Sequence, residues 1–348
     1  MRYVPTSCLR PGMILGKNLY SQDGVVLLAK DVSITKEYID NIQKLVINGV
    51  YIEDSVSENI KIEHVISDEL RIKAVKAIKH IYNDPKNITK TVEVVENIAK
   101  AVIGEILRNK SVMINMIDIK SYDDLLFSHC VNVAVLSSVI GIALNLEDSK
   151  LEKLVASAML HDIGKVFIPK ELLTKVELTE EEEKILKSHT EKGYRYIKNY
   201  HNSIAITSYV GILQHHERFD GRGYPDGKKG EKISLFGRIL CLCDTYDKLI
   251  TERPHRKASL PSEAIEYIMA YNGSIFDPKL VKIFLKKVAP YPLGTIIKLS
   301  NQQKAIVIEN NEDCSLRPIV RLLDNNEVIN LTEDWNYRNV TIVSVNNY

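Results

Sequence analysis

The chain has 348 residues, of which 45% are hydrophobic and 26% are charged, and its formal net charge is +1 at pH 7. These values are those of an ordinary soluble globular protein, with room for one large domain and appendages or for two to three domains. A nearly neutral chain has no global field that would attract a nucleic acid polymer or a membrane surface, so an anionic substrate must be met by a local cluster of cations. The five cysteines show no CxxC spacing and the first residues do not resemble a signal peptide, so we expect a reduced, cytoplasmic protein.

Residues 1–60 predict a small α+β module. Short β-rich runs such as Met13–Leu15 are separated by Pro-Gly and Asp-Gly turn signals. Apolar residues recur at helical spacing from Tyr38 to Val46, and Val50–Ile52 indicates a closing strand. Nothing in this module has the pattern of a catalytic site.

Residues 61–112 predict two charged helices. Helical periodicity runs from Ile66 to Ile81, breaks at Asn83-Asp84-Pro85, and resumes from Thr89 to Leu107. The heptad pattern is too short to indicate a coiled coil. We interpret the pair as a connector or as a dimerisation arm, which makes a homodimer through these helices one hypothesis.

Residues 113–290 predict a helical domain that is interrupted by one loop rich in glycine and proline, Phe219–Lys232. The longest uncharged run, Cys130–Leu146, is shorter than the roughly 20 apolar residues that a membrane span needs. We therefore expect a buried core helix and no membrane insertion.

Residues 291–348 change character and predict a small antiparallel β unit with polar turns between its strands. The predicted fold class is mainly α: an all-helical domain with a small N-terminal α+β module and this C-terminal unit. The strand-like runs are Gly294–Leu299, Ala305–Ile308, Ile319–Leu323 and Val340–Val345.

Five histidines and two aspartates of the helical domain are placed as metal ligands would be. A lone histidine on an apolar helix is more often a hydrogen-bonded core residue, but two adjacent doublets among these positions favour a metal site. Cys241 and Cys243 alternate with leucines and are interpreted as core. The candidate ligands are His129, His161, Asp162, His189, His215, His216 and Asp244.

Imidazole and carboxylate ligands without thiolate suit Fe, Mn, Ni, Co or Zn. Seven ligands are too many for one catalytic ion with an open position, and they are about right for two ions bridged by a carboxylate and a water. Such a pair acidifies the bridging water and stabilises both the entering and the leaving oxygen of a phosphoester. It needs no serine or cysteine nucleophile, and the sequence shows no arrangement for one.

Two motifs carry a resemblance to a known family. Leu160–Lys165, with the sequence LHDIGK, resembles the signature of the HD superfamily. Together with His215–Pro225, HHERFDGRGYP, it resembles the HD-GYP family, bacterial signalling phosphodiesterases that hydrolyse cyclic di-GMP. The resemblance runs from about Ser128 to Pro278 and includes the stretch Thr251–Arg256.

The resemblance implies that all of the candidate ligands bind metal and that Asp162 bridges two divalent transition metal ions, with iron or manganese expected ahead of nickel, cobalt or zinc. Some members of the family hold a third ion through a glutamate four residues before the first histidine. That position is Leu125 here, so we expect two ions.

The resemblance also implies substrate contacts. Lys165 would face a phosphate, where it neutralises charge or assists the leaving oxygen, and Asp162 with Lys165 would be the catalytic residues. Arg253 and Arg256 fit a cationic clamp, because guanidinium can bind phosphate through two hydrogen bonds. The family usually has tyrosine where this chain has His255, which puts a stacking or hydroxyl contact there in doubt.

The glycine-rich loop has both a structural and a functional interpretation. Gly223 and Pro225 are expected to shape the turn that forms the pocket wall. Tyr224 is a candidate for either role. Arg222 stands where the family more often has a small residue, and it is either a further phosphate contact or a solvated side chain.

The predicted function is metal-dependent hydrolysis of cyclic di-GMP by a metal-bridging hydroxide, which gives linear pGpG and leaves further cleavage to GMP open. One alternative is a phosphodiesterase for another cyclic dinucleotide, such as cyclic GMP-AMP. A second is a weakly catalytic sensor that binds the nucleotide and signals through its flanking modules. The complete set of ligands counts against the sensor.

Overall fold

A computed structural model describes residues 1–21, 24–45, 47, 49–62, 65–85, 88–108, 113–114, 125–200, 209–251 and 256–346. Contacts divide the chain into two compact units. The terminal unit comprises Met1–His64, Ser111–Leu125 and Leu285–Tyr348, and the helical unit comprises Val65–Lys110 and Leu126–Phe284.

The N-terminal part of the terminal unit is the small α+β module that the sequence predicts. Strand β5 is central in an antiparallel sheet of order β1-β5-β2, and β3 pairs with β4. Thr35 begins the helix α1, because its side chain accepts a hydrogen bond from the Tyr38 N–H. The elements are β1 (Arg2–Pro5), β2 (Ile14–Leu15), β3 (Leu19–Tyr20), β4 (Val26–Leu28), α1 (Lys36–Lys44) and β5 (Gly49–Glu53).

The C-terminal part is an antiparallel sheet of order β10-β6-β7-β8-β9, which confirms the predicted β unit. The strand β9 was not predicted, since it has only three residues between polar turns. The strands are β6 (Ile296–Leu299), β7 (Lys304–Glu309), β8 (Ile319–Leu322), β9 (Val328–Asn330) and β10 (Ile342–Asn346).

The two ends of the chain share one core. Tyr51, Ile60 and Ile62 pack with Ile296 and Ile306 in a single cluster of buried side chains. The sequence shows two separate modules, and burial of both apolar faces against each other joins them into one unit.

The helical unit confirms the predicted helical domain. Helices α2 and α3, which the sequence sets apart as a connector, belong to this unit: they pack on each other, and α3 also packs on α5. The first residue of α4 and the end of α12 belong to the terminal unit. The helices are α2 (Asp68–Asn83), α3 (Ile88–Arg108), α4 (Leu125–Ala143), α5 (Asp148–Leu160), α6 (Lys170–Thr174), α7 (Glu180–Lys187), α8 (His189–Tyr200), α9 (Val210–Gln214), α10 (Leu235–Ile250), α11 (Pro261–Ala270) and α12 (Pro278–Lys287).

Helix α4 is the buried core helix that its uncharged sequence predicts. By length and composition the window Leu126–Ala143 could cross a membrane, but 72% of it is buried inside the protein. The helix ends at Ala143; Asn145 then adopts a left-handed φ of 53°, and the Leu146 N–H donates back to the Gly141 carbonyl. This helix carries the first candidate ligand into the interior of the helical unit.

Candidate metal centre

The structure brings all the candidate ligands together, and all of them lie in its described part. Five helices supply them: α4, the end of α5 and the turn after it, the start of α8, the end of α9, and α10. The ligands are buried, except for the partly buried His216. They are His129, His161, Asp162, His189, His215, His216 and Asp244.

The HisAsp doublet lies at a break between two helices. On one continuous helix, adjacent side chains diverge by about 100°. Here α5 ends at Leu160, and Asp162 leaves the helical conformation with φ −97° and ψ 5°. The two side chains therefore converge, and His161 Nε2 lies 3.5 Å from Asp162 Oδ2.

The two carboxylate oxygens of Asp162 face two different groups of histidines. Oδ2 lies 3.5 Å from His161 Nε2 and 4.0 Å from His129 Nε2. Oδ1 lies 3.5 Å from His189 Nε2 and 3.9 Å from His215 Nε2. This is the arrangement that a carboxylate bridging two cations requires.

The second aspartate, Asp244, contacts only one of the two histidine groups. Asp244 Oδ1 lies 2.9 Å from His129 Nε2 and 3.6 Å from His161 Nε2. Its other oxygen, Oδ2, lies 2.5 Å from Lys248 Nζ. Asp244 thus faces the histidines that meet Asp162 Oδ2, and it is not placed between the two groups.

Three of the histidines are oriented by the turn that precedes them. The Nδ1 atoms of His161, His189 and His215 each lie 2.7 Å from the backbone carbonyl oxygen three residues earlier. Because a carbonyl only accepts, Nδ1 carries the proton and the Nε2 lone pair is directed into the cluster. This orientation is usual for histidines that bind metal.

The donor set fits two metal ions. Ligand atoms lie within 4.8 Å of one another in each of two groups, His189 with His215 and His216, and His129 with His161 and Asp162. Within the described part of the chain, His161 Nε2 and Asp162 Oδ1 are buried without a hydrogen-bond partner. Buried polar atoms ordinarily have partners, and a cation would satisfy both.

The acids of the cluster are held in their ionised form. Burial alone would raise the pKa of Asp162, but Lys165 and His161 outweigh it and hold that pKa well below its usual range. Burial opposes ionisation of Asp244 in the same way, and Lys248 holds its pKa well below the usual range. Ionised carboxylates are the form that binds metal.

Most of the histidines are held neutral. Burial lowers the pKa of His189 to about 4. Burial also holds the pKa values of His215 and His216 well below the usual value. Burial would lower the pKa of His129 too, but its hydrogen bonds to Asp244 and Asp247 raise that pKa instead.

Gly164 allows the turn after Asp162 to approach α8. A Cβ atom at this position would lie 1.8 Å from the His189 carbonyl oxygen and 2.6 Å from the Gly193 nitrogen. The absence of a side chain is therefore a geometric condition for bringing Asp162 to His189, and it accounts for the glycine in the motif.

Comparisons with known proteins show what this chain is similar to. Residues 111–280 match the family model for the HD domain. Over 222 residues the chain is 32% identical to a cyclic di-GMP phosphodiesterase of Pseudomonas aeruginosa, a match that covers 64% of this chain and 53% of that protein. Over 160 residues it is 30% identical to the 3'3'-cGAMP-specific phosphodiesterase 2 of Vibrio cholerae, which covers 46% of this chain and 31% of that protein.

A solved structure shows the same fold. It is described as Bd1817, a HDG"Y"P protein from Bdellovibrio bacteriovorus, and it matches with a TM-score of 0.51 and 17% identity over 81% of this chain and 97% of that chain. At this identity the match shows the fold alone, so this chain shares the fold of that protein and matches the HD domain over residues 111–280. It spans about half the length of the Pseudomonas relative.

The loop that contains Gly223-Tyr224-Pro225 is held against the HisHis doublet. The Tyr224 N–H donates to the His216 carbonyl at 3.1 Å, and the Tyr224 ring stacks on the His216 imidazole at 4.8 Å with an interplanar angle of 27°. A Cβ atom on Gly223 would lie 2.3 Å from the Arg218 nitrogen. Gly223 is thus a packing requirement, and Tyr224 forms the wall beside a candidate ligand.

The other predicted substrate contacts differ in their distance from the cluster and in their exposure. Lys165 Nζ lies 2.5 Å from Asp162 Oδ2. The Arg222 side chain is exposed at the loop surface, and Arg256 is exposed and donates to the Lys248 carbonyl. Arg253 lies outside the described residues.

Sequence reasoning missed two residues at the centre, Lys248 and Asp247. Lys248 Nζ pairs with Asp244 Oδ2, and Asp247 Oδ2 lies 2.7 Å from His129 Nδ1. Both follow Asp244 at helical spacing, three and four residues on, which puts all three on one face of α10. The sequence already predicts a helix here, and applying helical spacing from Asp244 would have revealed them.

Proposed function

We propose that this chain is a metal-dependent phosphodiesterase that hydrolyses cyclic di-GMP to linear pGpG, in the bacterial cytoplasm. The observation that carries the proposal is the Asp162 carboxylate, whose two oxygens face two separate histidine groups. A bridging carboxylate with imidazoles on both sides suits a pair of divalent ions, iron or manganese, better than a single ion. The similarity to named cyclic di-GMP phosphodiesterases supports the substrate class.

Each ligand has a place in this proposal. His129, His161 and Asp244 would hold one ion, and Asp162 would be shared between the two. The second ion would be held by His189, His215 and His216. When bound, such a pair lowers the pKa of water and stabilises charge on phosphate oxygens.

Two lysines beside the cluster, Lys165 and Lys248, attract and orient the substrate in this proposal. Lys165 and Lys248 are about four-fifths buried, with side chains 20% and 21% exposed, and each ammonium lies beside one of the acids. A partly buried ammonium binds phosphate more strongly than a solvated one, because water screens it less. Lys165 lies next to Asp162, where negative charge would develop on the leaving oxygen during hydrolysis. Its ammonium group is therefore the one that stabilises this oxygen.

Tyr224 is proposed to form one edge of the substrate pocket. The Tyr224 ring offers a face for a guanine base, because bases stack on aromatic rings regardless of sequence. Arg222, Arg253 and Arg256 supply further guanidinium groups for phosphate.

A second cyclic dinucleotide is the competing substrate. The chain is 30% identical to a 3'3'-cGAMP-specific phosphodiesterase over 160 residues. Among the described residues we identify no side chain that distinguishes guanine from adenine, so the assay must include both substrates.

Turnover measurements test the proposal. Metal-replete protein is incubated with cyclic di-GMP and with cyclic GMP-AMP, and the products are separated by chromatography. We expect pGpG from cyclic di-GMP, and a loss of more than about 100-fold in Asp162→Ala, because changes outside the ligand shell alone cost 10–100-fold. Asp148→Ala, at an exposed acid at the start of α5, is the matched control and should retain full activity.

Two outcomes contradict the proposal. Absence of turnover by the wild-type chain refutes the phosphodiesterase, and equal turnover by Asp162→Ala refutes the site. Faster cleavage of cyclic GMP-AMP than of cyclic di-GMP would show that cyclic GMP-AMP is the preferred substrate, and the proposed mechanism would still apply. The proposed homodimer through residues 61–112 is tested separately, by light scattering at increasing protein concentration, and a constant monomer mass refutes it.

A further inference from the structure

A chain of hydrogen bonds leads from helix α2 to the candidate ligand His129. His129 Nδ1 lies 2.7 Å from Asp247 Oδ2. Asn132 Nδ2 donates to the other oxygen of Asp247 at 2.8 Å, and Arg71 Nη1 donates to Asn132 Oδ1 at 2.7 Å. Each link has the length of a good hydrogen bond. Asp247 contacts a candidate ligand directly, whereas Arg71 and Asn132 reach the cluster only through Asp247.

Chemistry fixes the direction of every link in this chain. A guanidinium only donates and an ionised carboxylate only accepts, so the Asn132 amide must accept from Arg71 and donate to Asp247. Both oxygens of Asp247 are engaged, and the His129 Nδ1–H must donate to one of them. Asn132 and Asp247 are both 0% exposed, so water does not compete for the bonds that join Asn132, Asp247 and His129.

We propose that Arg71 is a positioning residue that acts through Asn132 and Asp247 to orient the His129 imidazole. The inference rests on the proposed function in that His129 is taken to hold a metal. A carboxylate on the distal nitrogen of a metal-binding histidine fixes the ring and raises its basicity. Arg71 therefore sets the affinity of the ion that His129, His161 and Asp244 hold.

Because Arg71 lies on α2, the packing of α2 against α3 can affect the metal centre. Ser67 begins α2, and its N–H and Oγ donate to the Glu105 carboxylate of α3 at 2.6 and 2.9 Å. Arg71 follows four residues later, one helical turn along α2. A shift of α2 along α3 would move Arg71 relative to Asn132 and thereby change the orientation of His129.

Binding of Mn²⁺ to the full chain tests the inference. Chelator-treated wild-type protein and the variants Arg71→Met, Arg71→Lys and Asn132→Leu are titrated with Mn²⁺ by calorimetry, and thermal melting is measured in parallel. Lys73→Met removes an exposed cation from the same helix and is the matched control. Because Arg71 is only partly buried, Arg71→Met is the variant most readily accommodated by the fold.

We expect the affinity for one Mn²⁺ to fall about 10-fold in Asn132→Leu and by a smaller factor in Arg71→Met, since outer-shell changes typically cost 10–100-fold. The affinity for the other ion should not change. Arg71→Lys, which retains a donor, should recover part of the loss, and Lys73→Met should bind as the wild type does. The double variant Arg71→Met with Asn132→Leu should lose no more than Asn132→Leu alone.

Three results overturn the relay. The first is a folded Arg71→Met that binds both ions with wild-type affinity, and the second is a lower melting temperature with unchanged Mn²⁺ constants. The third is a double variant whose loss is the product of the two single losses, which would mean independent effects. These readouts do not involve the nucleotide, so a chain that binds two Mn²⁺ without cleaving cyclic di-GMP refutes the proposed function and leaves the relay to its own test.

Discussion

Gly164 is the position where a single methyl group should disable the proposed centre. In Gly164→Ala the new Cβ atom would lie 1.8 Å from the His189 carbonyl oxygen, whereas real Cβ contacts are essentially never shorter than 3.0 Å. The turn that carries Asp162 and the start of α8 must therefore separate by about 1.2 Å. The His189 oxygen and the Gly193 nitrogen, which the new Cβ atom would contact, are both backbone atoms. No side chain can therefore rotate out of the way.

The expected effect of Gly164→Ala is large on both function and stability. A misplacement of about 1 Å costs on the order of 100-fold in rate, and overpacking of a close contact costs about 1–3 kcal/mol of unfolding free energy. We expect kcat/KM for cyclic di-GMP to fall about 100-fold and the affinity for the ion held by His189 to fall with it. Stopped assays with chromatography, Mn²⁺ titration and urea unfolding measure the three quantities.

The control for this experiment is Gly104→Ala in helix α3, where a Cβ atom meets nothing within 4 Å. In a helix interior this change should stabilise the protein by about 0.5–1 kcal/mol. Wild-type metal affinity and activity in Gly164→Ala would refute the argument that this glycine permits Asp162 to reach His189.

Three further substitutions test separate parts of the account. Lys248→Met should raise KM for cyclic di-GMP about 10-fold, since hydrogen bonds to charged groups contribute about 1.5–3 kcal/mol. The control Lys232→Met, at an exposed lysine, should leave KM unchanged, and equal KM values for the two variants would show that Lys248 does not contact the substrate. Tyr224→Ala should lower kcat/KM about 10-fold through lost stacking, while Tyr224→Phe should keep it; loss in both would implicate the hydroxyl. Ile306→Ala, in the core shared by the two chain ends, should lower the unfolding free energy of the terminal unit by about 2–5 kcal/mol in urea, and a change below about 1 kcal/mol would contradict that shared core.

The ligand set could be predicted from sequence because its members come in patterns that few other roles explain. The doublets His161-Asp162 and His215-His216 are unusual for a helix core, and the apolar run after His129 already indicated a buried helix. Residue type alone then gave the class of metal. The structure brings these residues into one cluster, as the prediction requires.

The positions that sequence reasoning missed depend on geometry that no local pattern carries. The convergence of His161 and Asp162 results from the end of α5 at Leu160. Asp247 and Lys248 lie in a stretch that was predicted to be helical, but their contacts with His129 and Asp244 depend on how α10 packs. The contact from Arg71 to Asn132 joins residues 61 positions apart, and it depends on how α2 packs.

The union of the two chain ends was missed for a similar reason. Residues 1–60 and 291–348 each show a half-apolar sheet, and either could in principle pack on the helical domain. Tyr51 and Ile62 instead pack with Ile296 and Ile306. Burial patterns show that a face must be covered, but they do not show by which partner.

The bridging role of Asp162 is tested most directly by the number of Mn²⁺ ions that the chain binds after one ligand is removed. Calorimetric titration of chelator-treated wild-type protein should give two ions. Asp244→Ala should weaken one of them, because its carboxylate faces one histidine group, whereas Asp162→Ala should weaken both. An Asp162→Ala variant that loses one ion and holds the other with wild-type affinity would contradict the bridged pair of metals.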